Sequence, residues 1–438
     1  MNRQVAFVCG GVFMLSLFRV ADAQQSGINA EVDRVYAESE ALYKDLHQHP
    51  ELSSQESATA AKLANQLRQL GFEVTTGVGG TGVVGVLKNG PGPTVLLRTE
   101  LDALPVSENT GVAFASTARM KNASGTEVSV MHACGHDAHM AAWRGAGAIM
   151  AQDKKKWSGT LILIGQPAEE TGAGAKAMIA DGLLTRFPRP DFAIAVHDDA
   201  RIPSGLVTYH AGPVLTNVDA VTVRIFGRGG HGARPETAID PIVIAARTVM
   251  ALQTIVSREM SPFDPSVVTV GSIHGGTTHN VIPDEVVLQI TVRSFTDQVR
   301  QHLLSSISRI VKAEALAAGA TKEPTIERVP TAESLVNDTV LTRRVAAALV
   351  KNLGRERVAE GQPEMVGEDF SEFPIAGIPS LQMRVGAVEP KKYAESIKSA
   401  IPLPSLHSST FFPDTEPTIK SAIAAEVIAL RELMPPRK

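Results

Sequence analysis

The 438-residue chain is 44% apolar and 20% charged, with a net charge of −4. Its length favours two domains over a single core, and its apolar and charged fractions are those of a globular protein. A slightly acidic chain without a basic run excludes nucleic acid as an expected partner.

Few aromatics and many Ala, Val, Gly and Ile point to α/β layers. Residues 1–23 read as a targeting segment. Arg3 supplies the positive start and residues 5–18 are apolar. Ala21 and Ala23 are the small residues before a cleavage point. The run is short for a bilayer span; an uncleaved interfacial anchor is the alternative. Export to the periplasm or beyond is expected, with no stable membrane span after cleavage. Cys9 would leave with the segment, so Cys134 remains alone and no intramolecular disulfide can form.

Helices are expected over 31–46, stopped by Pro50, and over 56–70, closed by Gly71. His47 and His49 form an HxH pair at the first helix end. Metal-binding pairs of that kind end a β-strand, so a structural role is expected here. Strands follow over 72–75, 82–87 and 94–98. Glu100 and Asp102 come at the end of the third, on one face of an extended chain, where α/β sheets place chemistry. Either carboxylate suits a place behind a metal-binding His.

Residues 130–140 read VMHACGHDAHM, with His132, Cys134, His136, Asp137 and His139 close together. A thiolate among imidazoles suits Zn²⁺ or a similar ion; a satisfied surface turn is the bland alternative. A helix over 138–153 and a buried strand over 160–166 lead to Glu169-Glu170. In extended chain these two would point opposite ways, one to metal and one to substrate. A strand over 192–197 ends in His197.

From 215 to 323 the pattern is β-α-β-β-α: strands 218–226, 266–274 and 285–293, helices 241–257 and 297–317. It reads as a small inserted domain that closes as a lid or pairs with a second copy through a free strand edge. The chain then returns to the first domain with helices 341–353 and 417–433, a strand over 382–386 and His407 in a late loop. The organisation is thus a targeting segment over 1–23, a catalytic domain over 28–214 and 324–436 with a mixed sheet, and the α+β insert over 215–323.

Thiolate, imidazoles and paired carboxylates near strand ends are the inventory of a two-metal hydrolase. The motifs MHACGHDAH, QPAEE, GGHGARP, HNVIPD, GEDFSEF and SLHSS, in this order, resemble the amidohydrolase branch of the zinc-dependent aminoacylase and carboxypeptidase-G-like metallopeptidases. The resemblance runs from about residue 41 to the C-terminus. It implies two divalent ions, Zn²⁺ first, with Mn²⁺, Co²⁺ or Ni²⁺ as alternatives. Cys134 would bridge them, with His136, Glu170, His197 and His407 as the other ligands. Glu169 would be general base and then acid. His231 would hold substrate or oxyanion, with Asn280 and Arg234 also touching substrate.

The chain departs from the family pattern in three places. Glu100 stands where Asp is usual. Asp198-Asp199 follow His197, where added acid is expected to disfavour carboxylate substrates. Residues 117–129 lengthen the loop before the metal motif. The expected reaction is hydrolysis of the amide of an N-acyl amino acid or related conjugate. A carboxypeptidase or dipeptidase on the same scaffold is the near alternative. An exported solute-binding protein is the distant one, disfavoured by the Glu169-Glu170 pair, since a binder needs no free carboxylate beside a metal. A structural zinc site is disfavoured by the spread of donors from Cys134 to His407.

Overall fold

The computed structural model describes residues 11–437. The first ten residues of the expected targeting segment lie outside this range. The remainder is the start of a helix, Gly11–Gln48, that begins well before the expected one. None of the described helices is long and apolar enough to cross a membrane.

The chain forms two compact units. The first runs to Ala211 and resumes over Asn337–Gly361 and from Phe373 on; the second comprises Gly212–Val336 and Gln362–Glu372. In the first unit, eight strands make one mixed sheet. In spatial order they are Glu73–Val78, Gly82–Asn89, Gly159–Gln166, Thr94–Glu100, Phe192–Pro203, Ser380–Val388, Val207–Tyr209 and Val358–Glu360. The four central strands, from Gly159–Gln166 to Ser380–Val388, run parallel. Their interiors are nearly continuous Val, Ile, Leu and Ala, as expected of strands covered on both faces.

Three helices, Gly11–Gln48, His136–Gln152 and Thr415–Leu433, pack together on one face of this sheet. The middle one is buried nearly all round. Its small residues permit that. A Cβ on Gly145 would lie 2.7 Å from Ile423 and 2.8 Å from Ser39, so only glycine lets the neighbouring helices approach so closely. The indole of Trp143, wholly buried, donates to the Leu97 carbonyl and ties this helix to the sheet.

The second unit is an antiparallel sheet ordered Ser266–His274, Glu285–Ser294, Asn217–Phe226, Thr325–Ala332, with helices Pro241–Thr254 and Asp297–Ala317 against it. Its core alternates along Asn217–Phe226, one face buried and one not. The expected boundary at 323 is too early. Thr325–Ala332 pairs with Asn217–Phe226 as a fourth strand, and 362–372 also belongs here. That strand carries Glu327, Arg328 and Pro330 and is mostly exposed, so it has the composition of a protected edge and no apolar alternation to betray it.

Three further features bear on the site. The lengthened loop folds as a hairpin, Arg119–Lys121 against Glu127–Ser129. Glu169–Thr171 is a 3₁₀ turn, not extended chain, because Ala168 before it is left-handed (φ 51°). The two glutamates therefore do not point opposite ways. His47, at the end of the first helix, is buried, whereas His49 is exposed.

Candidate metal centre

Six donor-bearing residues of the first unit converge at the C-terminal ends of the central strands. Cys134 and His136 come from the tight turn that opens helix His136–Gln152. Gly135 makes the turn possible: its φ is 75°, and a Cβ there would sit 2.3 Å from the Asp198 carboxylate. Glu169 and Glu170 follow strand Gly159–Gln166, and His197 lies within Phe192–Pro203. His407 arrives from the late loop in a left-handed conformation (φ 65°), its N–H donating to the Ala133 carbonyl at 2.7 Å.

The Cys134 sulfur is 3.3 Å from His407 Nε2 and 3.7 Å from His197 Nε2. His407 Nε2 is 3.5 Å from Glu170 Oε1. Glu169 Oε2 and Glu170 Oε1 lie 3.9 and 4.0 Å from His136 Nε2. Two donor triads follow, Cys134–His136–His197 and Cys134–Glu170–His407, each with its ligand atoms within 4.8 Å of one another. Tetrahedral zinc with bonds of roughly 2.0–2.3 Å holds its ligands about 3.3–3.8 Å apart. The buried His136 Nε2 and Glu170 Oε1 make no hydrogen bond, so both remain available to a metal. Burial, then the Glu170 and Glu169 carboxylates, push the Cys134 thiol well above its ordinary range. A nearby cation reverses that preference. By spacing, orphaned donors and ligand chemistry, these residues fit a pair of borderline divalent ions, with Cys134 common to both triads.

The groups behind these donors differ from expectation in detail. Asp102 steadies His136 through its main-chain carbonyl, 2.8 Å from Nδ1, while its nearer carboxylate oxygen is 3.6 Å away. That carboxylate instead accepts from the Glu170 N–H at 3.0 Å and the Ser53 hydroxyl at 2.7 Å. Glu100 pairs with Arg98 and with His139 Nδ1, the latter at 3.1 Å. Burial opposes charge on His136, but Asp102, Glu100 and Glu170 outweigh it and raise its pKa to about 10.

The expected repulsion of carboxylates by Asp198-Asp199 is overturned by the bonds these residues make. Asp198 is wholly buried and lies 3.2 Å from His139 Nε2; His139 and His197 outweigh the burial that opposes its charge and hold its pKa at about 2. Asp199 is matched by Arg201 at 2.8 Å and Arg384 at 3.2 Å. Neither acid is an uncompensated charge facing substrate.

His139, Asp198 and His47 are the contributors that sequence reasoning left unassigned or read blandly. His47 Nδ1 is 2.6 Å from Asp137 and Nε2 is 3.0 Å from Glu108, all three side chains being buried. Phe114 and Phe412 present their rings edgewise to it. This cation joins the first helix, the metal-motif helix and the loop carrying Glu108. Asn109 N–H in turn donates to Ser409 beside His407.

In the second unit, the strand pair Gly230–His231 and Val281–Ile282 brings His231, Arg234 and Asn280 together. Gly232 N–H donates to the Asn280 carbonyl at 2.8 Å and Arg234 N–H to the His231 carbonyl at 2.7 Å. All three side chains are exposed.

The model of Peptidase family M20/M25/M40 matches residues 96–409. The chain belongs to this family. It is 36% identical over 395 residues to thermostable carboxypeptidase 2 of Saccharolobus solfataricus, covering 89% of this chain and 94% of that one. It is 34% identical over 346 residues to the hippurate hydrolase of Campylobacter jejuni, covering 78% and 86%. Among solved structures it is similar to the Bacillus subtilis YXEP protein, a dinuclear metal binding peptidase of family M20, with a TM-score of 0.73, 27% identity and coverage of 91% and 98%. The two-domain M20 fold and membership of a hydrolase family are thereby shown.

Burial opposes the charge on His47, but Asp137 and then Glu108 outweigh it and raise its pKa from 6.5 to about 9. A raised pKa stabilises fully below the unfolded value and fades as pH climbs through the folded one. The urea stability of wild type should therefore exceed that of His47→Gln by about 3 kcal/mol near pH 6, and the gap should close towards pH 10. A gap independent of pH would remove the charge from this account.

Proposed function

We propose that this M20 enzyme hydrolyses the amide bond of N-acyl amino acids or related amino-acid conjugates, using two divalent ions held by Cys134, His136, Glu170, His197 and His407. The observation that carries the reading is the pair of donor triads meeting on one sulfur, with the Glu169 carboxylate alongside. Ions bound there would supply a water acidic enough to deprotonate near neutral pH and a polarised scissile carbonyl.

Glu169 accepts the proton of the attacking water and returns it to the departing amine nitrogen, as a general base that becomes the acid. Its side chain is 11% exposed, enough to reach substrate but sheltered from bulk water. Cys134, His136 and Asp102 keep the donors in register: the Asp102 carbonyl fixes the His136 tautomer, so that Nε2 carries the free lone pair. Within the second unit, His231, Arg234 and Asn280 offer an imidazole, a guanidinium and an amide on two paired exposed segments, groups of the kind that bind a carboxylate or an oxyanion.

Similarity to a hippurate hydrolase favours acyl amino acids, and similarity to a thermostable carboxypeptidase supports peptides as the second reading. Zinc is the first choice of ion because one of the proposed donors, Cys134, would bind as a thiolate. The proposed export rests on residues 1–23. Association as a two-fold dimer is supported by the outer strand Ser266–His274, paired on one side only among the described residues, and by exposed Ile242, Val243 and Met250 on helix Pro241–Thr254.

The purified protein, stripped by chelator and reloaded with single metals, should release amino acid from N-acetyl or N-benzoyl amino acids faster than from dipeptides. A reversed order moves the assignment to a peptidase. Glu169→Gln should keep its metal and lose turnover by about 10²–10⁴-fold; retained turnover removes Glu169 as the base. Light scattering at micromolar concentration should give twice the chain mass, and a monomer mass refutes the dimer. N-terminal sequencing of protein recovered from outside the cytoplasm should begin at Gln24; recovery only from the cytoplasm, with Met1 intact, refutes export.

A further inference from the structure

Glu56 is fully buried and immediately precedes helix Ser57–Gln69, where a carboxylate would ordinarily accept from the helix's own first N–H groups. It does not. Glu51 takes that place, accepting from Ala58 at 3.1 Å and Thr59 at 2.7 Å. Glu56 reaches across the fold instead. Its Oε1 accepts from the N–H of Ala168 at 2.8 Å and of Ser54 at 2.7 Å, and its Oε2 from the Thr81 hydroxyl at 2.6 Å.

Ala168 is the residue before Glu169. It holds φ 51° and ψ 40°, left-handed backbone that an alanine adopts only under constraint. Its carbonyl closes the turn by accepting from Ala173 and Gly174 N–H groups and the Thr171 hydroxyl. Without Glu56 its N–H would be a buried donor lacking a partner, and relaxation to ordinary right-handed backbone would re-aim the next side chain. On the far side of Glu169, the Asp102 carboxylate accepts the Glu170 N–H, and Ser53 supports Asp102. The segment Ser53–Glu56 thus steadies the Glu169–Glu170 turn on both sides.

We propose that Glu56 is a positioning residue for Glu169: its buried carboxylate pins the Ala168 N–H and so holds the strained turn that aims the base. The proposal rests on Glu169 being the base. Glu56 touches neither substrate nor metal donors in this account, and Glu170 keeps its own tether to the Asp102 carboxylate, so loss of Glu56 should act on kcat while sparing KM and metal content.

The experiment compares kcat, KM, bound metal and melting temperature for wild type, Glu56→Gln, Ala168→Gly, the double variant and Glu169→Gln, with an N-acyl amino acid that the wild type cleaves. Glu56→Gln keeps the volume but exchanges an acceptor oxygen for a donor. It should lower kcat about tenfold, with KM and metal content within twofold of wild type. Glycine at 168 adopts the left-handed turn without strain. The double variant, measured against Ala168→Gly alone, should therefore lose much less than Glu56→Gln loses against wild type. Equal losses in both backgrounds, an unchanged kcat in Glu56→Gln, or a fall in kcat matched by lost metal would overturn the proposal. Should Glu56→Gln not fold, Glu56→Asp, which keeps the charge and shortens the reach, is read against the same outcomes. Glu169→Gln separates the two failures: if it retains turnover the base assignment falls, whereas an inactive Glu169→Gln beside a normal Glu56→Gln removes Glu56 alone.

Discussion

Repulsion among buried donors is the constraint to which this molecule answers. Cys134, Glu169 and Glu170 meet at the ends of apolar strands, where burial raises the Cys134 and Glu170 pKa values above their ordinary ranges. Charge survives in such a place only beside fixed opposite charge. Around the rim the chain supplies its own: His139 between Glu100 and Asp198, His47 between Asp137 and Glu108, Arg98 against Glu100. At the centre, Cys134–His136–His197 and Cys134–Glu170–His407 bring their ligand atoms within 4.8 Å of one another, where the proposed ions would do the same work.

The legible parts of the sequence were those with a local signature. Strands 94–98, 160–166 and 266–274 and helices 297–317 and 341–353 showed themselves by length and period, and their observed bounds lie within two residues. The proposed donors were noticed because Cys134 and His136 are near neighbours and the sequence set the others at an expected strand end or in a loop; the structure brings their ligand atoms together, though His197 lies inside the longer strand Phe192–Pro203. Their supports were not. Glu56 lies 112 positions from Ala168, and nothing near either residue hints at the other. Asp198 looked like surplus acid because its partner His139 is 59 positions away. The turn at Glu169 defeated period reasoning because one left-handed alanine changes the direction of everything after it.

The sheet strands missed outright lack a signature of their own. Val207–Tyr209 and Val358–Glu360 are three residues each and pair at the far margin of the sheet. Strands so short take their conformation from a neighbour already in place, which is tertiary information. Thr325–Ala332 is long enough to notice, but its exposed Glu, Arg and Pro describe an edge, and edges are built to be unlike strands that attract partners.

The order of the large sheet has a consequence for how the protein is made. Phe192–Pro203 and Val207–Tyr209 nearly touch in sequence, yet Ser380–Val388 lies between them in space. During synthesis, Phe192–Pro203 must wait with one edge open while the whole second unit and more emerge from the ribosome. An open hydrophobic edge of that kind invites pairing with other chains. Chains cut short by a premature stop before residue 388 therefore face aggregation rather than a smaller working enzyme.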